Sequence, residues 1–160
     1  MMTELKLLRG QTALIDAEDL PKVRSYRWRL SSKGYVIATV AGVKPQKTIW
    51  LHRLILDTPA GLVTDHENHD KLNNQKSNLR IATYTNNHGN RLKKPSTASR
   101  FKGVTWSKRA GKWKAQISQQ TNGQHKVIGL GEFDDEKTAA LAYNEAAKAY
   151  FGNFAHINSI

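Results

Sequence analysis

Asp65 and His66 stand side by side, and a run of amides follows them. From Asn68 to Asn90 there are seven Asn in 23 residues. Aspartate is a hard oxygen donor of the kind that Mg²⁺ or Mn²⁺ takes. Histidine titrates near ~6.5 when unperturbed, so at neutral pH it can take a proton from water. An amide oxygen is a further hard donor. Together these types suit phosphodiester hydrolysis, in which a divalent ion stabilises the leaving oxygen and a base activates water. The density of Asn makes any one amide a weak signal by spacing alone. Two rival readings are an ordinary turn pair at Asp65-His66 and a zinc set of His66, His69 and His88. The zinc set has no cysteine and fits no structural zinc spacing.

Elements must hold these residues. Residues 5–60 read as α+β. A strand is expected over Thr12–Ile15, and a helical turn over Asp19–Tyr26 with Pro21 tolerated in its first turn. Strands are expected over Trp28–Leu30, Tyr35–Val40 and Thr48–Leu51, and again from Leu62. A long polar loop follows Asp65, its only apolar punctuation Leu72, Leu79 and Ile81. A short helix capped at Thr83 or Thr85 closes this part. Residues 93–98 read as a linker broken by Pro95, between a first domain (1–92) and a second (99–160).

The second domain has sharper signals. Phe101–Trp106 reads as a strand, Arg109-Ala110-Gly111 as a turn, and Asn122-Gly123 as a hairpin turn. Lys112–Ser118 alternates, with Trp113, Ala115 and Ile117 on one face and Lys112, Lys114, Gln116 and Ser118 on the other. Lys126–Leu130 is a third strand. Asp135 caps a helix whose apolar face is Ala139, Ala142, Tyr143, Ala146 and Tyr150, and Gly152 ends it. The expected product is a three-stranded antiparallel sheet covered by one helix, with its Lys-rich face open.

The 160 residues carry 25 Lys+Arg against 13 Asp+Glu, a formal net charge of +12. That excess asks for a polyanion, nucleic acid before an anionic membrane surface. Arg91, Lys93, Lys94, Arg100, Lys102, Lys108, Arg109, Lys112, Lys114 and Lys126 follow one another with no intervening acid. Beyond Lys126 the acids predominate. The absence of Cys excludes disulfides, thiol nucleophiles and Cys-ligated zinc. No run approaches the ~20 apolar residues of a membrane span, and Met1–Arg9 reads as no signal peptide. A soluble intracellular protein is expected.

The strings Leu51-His52-Arg53-Leu54, Asp65-His66-Glu67-Asn68, Asp70-Lys71-Leu72-Asn73-Asn74 and Ser77-Asn78-Leu79-Arg80-Ile81-Ala82-Thr83, ending in Asn87 and Asn90, resemble the HNH endonuclease family. The likeness is to its His-Asn-Asn variant in phage and intron-associated homing endonucleases. It implies a ββα-metal motif, a hairpin followed by a helix. His66 would be the general base, Asp65 and Asn87 the ligands of one Mg²⁺ or Mn²⁺ ion, and Asn78 the residue that fixes the loop against the base. His52 and Arg53 match a family His-Arg pair that supports the site or contacts phosphate, and Arg80 is placed among the DNA contacts. His69 departs from a Gly found in many members, and Asn73 from an Asp.

Phe101-Lys102-Gly103-Val104, Gly111-Lys112-Trp113-Lys114-Ala115-Gln116-Ile117, Leu130-Gly131-Glu132-Phe133-Asp134, Ala139-Ala140-Leu141-Ala142-Tyr143 and the ending Phe151–Asn158 resemble the Apetala/ethylene-response-factor DNA-binding domain. That resemblance implies a sheet laid in the major groove. Lys112 and Lys114 would meet phosphates, Gln116 a base edge, and Trp106 sugar or core. Arg100, Lys102, Lys108 and Arg109 would flank them. Thr105 and Ser107 stand where the plant members often have Arg. The partner implied is double-stranded DNA, held by a monomer, with no membrane and no small-molecule cofactor, in the cytoplasm of a bacterial or phage-infected cell. The rival function is a non-catalytic DNA-binding regulator. An RNA binder is weaker, because the sheet lacks paired stacking aromatics.

Overall fold

Alternating apolar residues give Thr12–Asp16 one face to bury, and Ala13 and Ile15 are fully buried. The computed structural model describes residues 1–40, 42–93, 98–121 and 124–160, without the side chains of residues 120 and 121. It divides into two units, Met1–Thr83 and Tyr84–Ile160. The architecture is mixed α and β, with several small antiparallel sheets and four α-helices among the described residues.

In the first unit β1 (Met2–Lys6) pairs antiparallel with β2 (Thr12–Asp16). A 3-10 turn over Ala17–Asp19 leads into α1 (Leu20–Val23), with Pro21 at its start. Strands β3 (Arg29–Leu30), β4 (Val36–Thr39) and β5 (Thr48–Trp50) form a second sheet in that order. The expected strand through Leu51 stops one residue early, and α2 (Leu51–Ile55) begins there. Helical spacing buries Leu51, His52 and Ile55 together, which an extended chain cannot do. Then β6 (Val63–His66) pairs with β7 (Leu79–Ala82). The core gathers Leu5, Ile15, Val23, Trp28, Val36 and Leu51, and Leu79 of β7 joins it.

The second unit starts with α3 (Tyr84–Asn90). Its sheet has the order β10 (Gln124–Phe133), β9 (Lys112–Thr121), β8 (Val104–Ser107), all antiparallel. The expected turn at Asn122-Gly123 and most of the expected linker, Lys94 included, lie outside the described residues. Helix α4 (Glu136–Phe151) packs across the sheet. Asp135 caps it, accepting from the Thr138 amide at 2.8 Å. Its buried face is Ala139, Ala140, Tyr143, Asn144, Ala147 and Phe151, rotated from the expected one, with Tyr150 turned to solvent. The reason is Asn144: its side chain exchanges hydrogen bonds with the backbone of Asn158 at 2.9 and 2.8 Å, so a polar residue earns an inward position.

Candidate active site

Asp65 and His66 end β6, and the β6–β7 register sets Asp65 opposite Arg80 and His66 opposite Leu79. Both are buried, at 6% and 5% exposure. The Arg80 guanidinium donates to Asp65 Oδ2 from Nε at 2.9 Å and from Nη2 at 2.9 Å. Such a charge-assisted pair fixes the carboxylate on the strand. Arg80 also reaches Glu67 at 3.6 Å.

The His66 ring meets the amide of Asn74, with Nε2 and Oδ1 3.3 Å apart. An amide oxygen only accepts, so this contact places the proton on Nε2 and the basic lone pair on Nδ1. Asn74 is fully buried. Its Nδ2 donates to the Lys71 carbonyl at 3.1 Å and its backbone amide to the Leu14 carbonyl at 2.7 Å. The histidine is thereby tied, through one amide side chain, to β2. Burial is the main influence lowering the His66 pKa, with a small contribution from Lys71, against raising contributions from Asn74, Asp65 and Asp70. The net effect is downward, so the imidazole is neutral at pH 7, as a base must be.

The loop between β6 and β7 is built from amides for a local reason. Asn68 Oδ1 accepts from the Asp70 amide at 2.8 Å, Asp70 Oδ1 from Leu72 at 2.9 Å, and Asn73 Oδ1 from Gln75 at 3.2 Å. These are Asx turns, which let short side chains replace backbone pairing. Asn78 bridges the loop: its Oδ1 accepts from the Asn68 amide at 3.1 Å and its Nδ2 donates to the Asn73 carbonyl at 2.8 Å. His69 sits at φ +67°, a left-handed conformation that glycine adopts at least cost and histidine tolerates.

His52 lies against His66, with ring centroids 5.1 Å apart, and Tyr35 touches both rings at 5.4 and 6.1 Å. Burial first, then His66 and Arg53, push the His52 pKa down to about 3. Its buried Nδ1 has no hydrogen-bond partner among the described residues. Arg53 gives its fork to the carbonyls of Leu62, Thr58 and Pro59 at 2.7, 3.1 and 3.1 Å. Of the two expected roles for this pair, burial and these bonds favour support over phosphate contact.

Asn87 lies on α3, in the second unit. Among the described residues no three of His, Cys, Asp and Glu are grouped so that they could hold a metal ion.

On the second unit's sheet, the register puts Thr105 and Ser107 of β8 beside Lys114 and Lys112, and Gly129 and Val127 of β10 beside Gln116 and Ser118. Alternation gives these residues one face. Trp106 faces the other way, opposite Trp113, with the two rings edge-on at 5.0 Å. It is 41% exposed at the rim of the helix-covered side. The acids are not all behind the sheet. Asp134 pairs with Lys112 at 3.1 Å, and Glu132 stands opposite Lys114. Lys93 and Lys102 donate to the carbonyls of Phe101 and Gly89 at 2.7 and 2.6 Å. Among the expected flanking bases, the Arg100 guanidinium stacks on the Phe101 ring, 4.7 Å from its centroid, while Lys108 and Arg109 stand exposed in the β8–β9 turn. Arg91 follows α3 directly and is exposed.

Residues 99–153 match the model of the AP2 domain, the Apetala type. Over 155 residues the chain is 34% identical to an uncharacterized HNH endonuclease of Acanthamoeba polyphaga mimivirus, covering 95% of this chain and 77% of that one. The chain therefore belongs to the HNH endonuclease family, and carries an AP2 domain in its C-terminal part. It is also similar to dehydration-responsive element-binding protein 2D of Arabidopsis thaliana, 43% identical over 68 residues, or 40% of this chain and 30% of that one. With protein 2C of the same plant it shares 43% over 58 residues, 36% of this chain and 16% of that one. No solved structure matches. No helix among the described residues is long and apolar enough to cross a membrane.

The residue that sequence reasoning passed over is Asn74. It stood within the family-like string, yet nothing in composition separates it from six other asparagines in that stretch. Only its burial and its contact with His66 do so.

Proposed function

We propose that the chain is a metal-dependent endonuclease of the homing type that nicks or cleaves double-stranded DNA. The observation that carries this reading is the buried Asp65-His66 pair in a chain of this family, with the imidazole kept neutral and oriented by Asn74. His66 Nδ1 takes the proton of the water that attacks phosphorus. Asn74 holds the ring so that the imidazolium formed keeps a partner on Nε2. Arg80 keeps the Asp65 carboxylate in place while the proton moves. Asp65 would be a ligand of one Mg²⁺ or Mn²⁺ ion, for which a hard carboxylate oxygen is a suitable donor, and Asn87 on α3 is the amide ligand that the family likeness adds. The ion's chemistry there is stabilisation of charge on the leaving 3′ oxygen. Asn78 and the Asx turns keep the loop from slackening around the base.

Residues 99–160 grip the duplex in this reading, with the sheet face of Lys112, Lys114 and Gln116 in the major groove. The AP2 match and the similarity to plant element-binding proteins support it. Lys112→Ala with Lys114→Ala should weaken DNA binding and lower the salt slope of log K by about 2. An unchanged slope would mean that another face meets DNA. The function itself is tested on supercoiled plasmid: Mg²⁺ or Mn²⁺ should yield nicked or linear DNA, and EDTA should stop the reaction. A folded chain that leaves the plasmid intact with either ion would overturn the proposal.

A further inference from the structure

Within the second unit a cavity of about 120 Å³ opens between α3, β9, β10 and α4. Its lining includes His88, Lys102, Gln116, Ser118, Val127 and Tyr143. The charge around it has one sign. Lys102 is half-buried, and its ammonium donates to the Gly89 carbonyl at 2.6 Å. Burial first, then Arg91, push its pKa down to about 8. The ring of His88, which lines the cavity, meets that of His125 edge-on with centroids 6.5 Å apart. Among the described residues no carboxylate forms an ion pair with His88, Arg91, Lys102 or His125.

Arg91 disfavours the charged form of Lys102, and burial, then Arg91, Lys102 and His125, lowers the His88 pKa, so an anion arriving from outside would stabilise the charged forms of both. We propose that His88, Arg91, Lys102 and His125 form a phosphate site that takes a backbone phosphate of bound DNA. The proposal rests on reading the AP2 sheet as the DNA grip. Its source is DNA rather than free phosphate because of the register. Gln116, Ser118 and Val127 share one sheet face with Lys112 and Lys114, so on that side the cavity adjoins the open face along β9, while Tyr143 and Phe151 of α4 line it from the helix side. From Lys114 to Ser118 the strand rises about 13 Å, a span that covers several phosphates of one strand. The Ser118 hydroxyl and the Gln116 amide add neutral donors, so a phosphate would meet both charge and hydrogen bonds.

The test is the salt dependence of duplex binding by the full chain. Lys102→Met should lower the slope of log K against log salt by about 1, and Lys102→Arg should restore it. A wild-type slope in a folded Lys102→Met chain would overturn the proposal. Because Lys102 also holds Gly89, His125→Gln with Ser118→Ala gives a second arm that leaves that bond intact. It should weaken binding several-fold at fixed salt, and unchanged affinity would overturn the proposal. Inorganic phosphate alone is the third arm. If it perturbs the ring signals of His88 and His125 while both variants bind DNA like wild type, the cavity takes a small anion and not the duplex, and the proposal fails. A wild-type chain that binds no duplex sinks the reading of the sheet as well, a result distinct from normal binding with an unaltered slope.

Discussion

Replacing His66 by Ala should slow DNA cutting at saturating Mg²⁺ by about 10²- to 10⁴-fold, the usual contribution of a positioned general base. Duplex affinity should stay within a few-fold of wild type, since the proposed grip lies in residues 99–160. The size of the effect follows from the surroundings. His66 is buried, its pKa is shifted down chiefly by burial, and Asn74 fixes which nitrogen is basic. Bulk water cannot supply that alignment. The change also removes the donor to Asn74 Oδ1, which should cost about 1–3 kcal/mol of stability. Asn74→Ala provides the contrast. It keeps the imidazole but frees its orientation, so cutting should fall less than with His66→Ala. Single-turnover nicking, with affinity measured on the same preparations, checks both outcomes.

Gly103→Ala should destabilise the second unit by about 3 kcal/mol. Two costs combine at this position. Gly103 has φ +76°, where an L side chain is penalised by roughly 1–2 kcal/mol. An added Cβ would collide with the Tyr143 ring and lie 2.7 Å from the Gln116 carbonyl oxygen. Overpacking of that kind costs about 1–3 kcal/mol. Neither neighbour has room to yield, since Tyr143 is buried and Gln116 is paired to the Gly103 carbonyl through its amide at 2.8 Å. For a unit of this size the loss should lower Tm by more than ~10 °C. Gly129→Ala is the control: it has nothing within 4 Å and should be nearly neutral. Thermal unfolding followed by circular dichroism reads the difference.

Where pattern is periodic, the sequence already contained the fold. Strand β9 alternates from Lys112 to Ser118, and Ala115 and Ile117 are buried while Lys114 is exposed. The register then makes Val127 and Gly129 outward residues of β10. Short elements were less legible. In β7 only Leu79 and Ala82 are buried and Ile81 is 41% exposed, so four residues within an asparagine-rich stretch carry no readable period. Strand β1 buries only Leu5 and takes its definition from pairing with β2. Helix α2 holds five residues, too few for periodicity to separate it from the strand before it. In α4 the rotation of the buried face turned on Asn144, whose partners come from Asn158, beyond the helix.

The site divides in the same way. Asp65 and His66 were visible because their types are adjacent and the surrounding string is specific. Their environment was not. Arg80 faces Asp65 only through the register of β6 on β7, and Asn74 reaches His66 only because the loop folds back onto β2. The placement of Lys112 beside Asp134 is likewise a product of the fold, since these residues are distant in sequence.

The most direct test of the central claim, that DNA is cut at Asp65-His66, is the single-turnover rate after Mg²⁺ is added to preformed protein–DNA complex. Wild type, His66→Ala and Asp65→Asn should all form the complex. The wild-type complex should convert supercoiled plasmid to nicked or linear product, and both variants should be slower by about 10²-fold or more. If either folded, DNA-bound variant cuts at the wild-type rate, the chemistry lies elsewhere in the chain and the account is wrong.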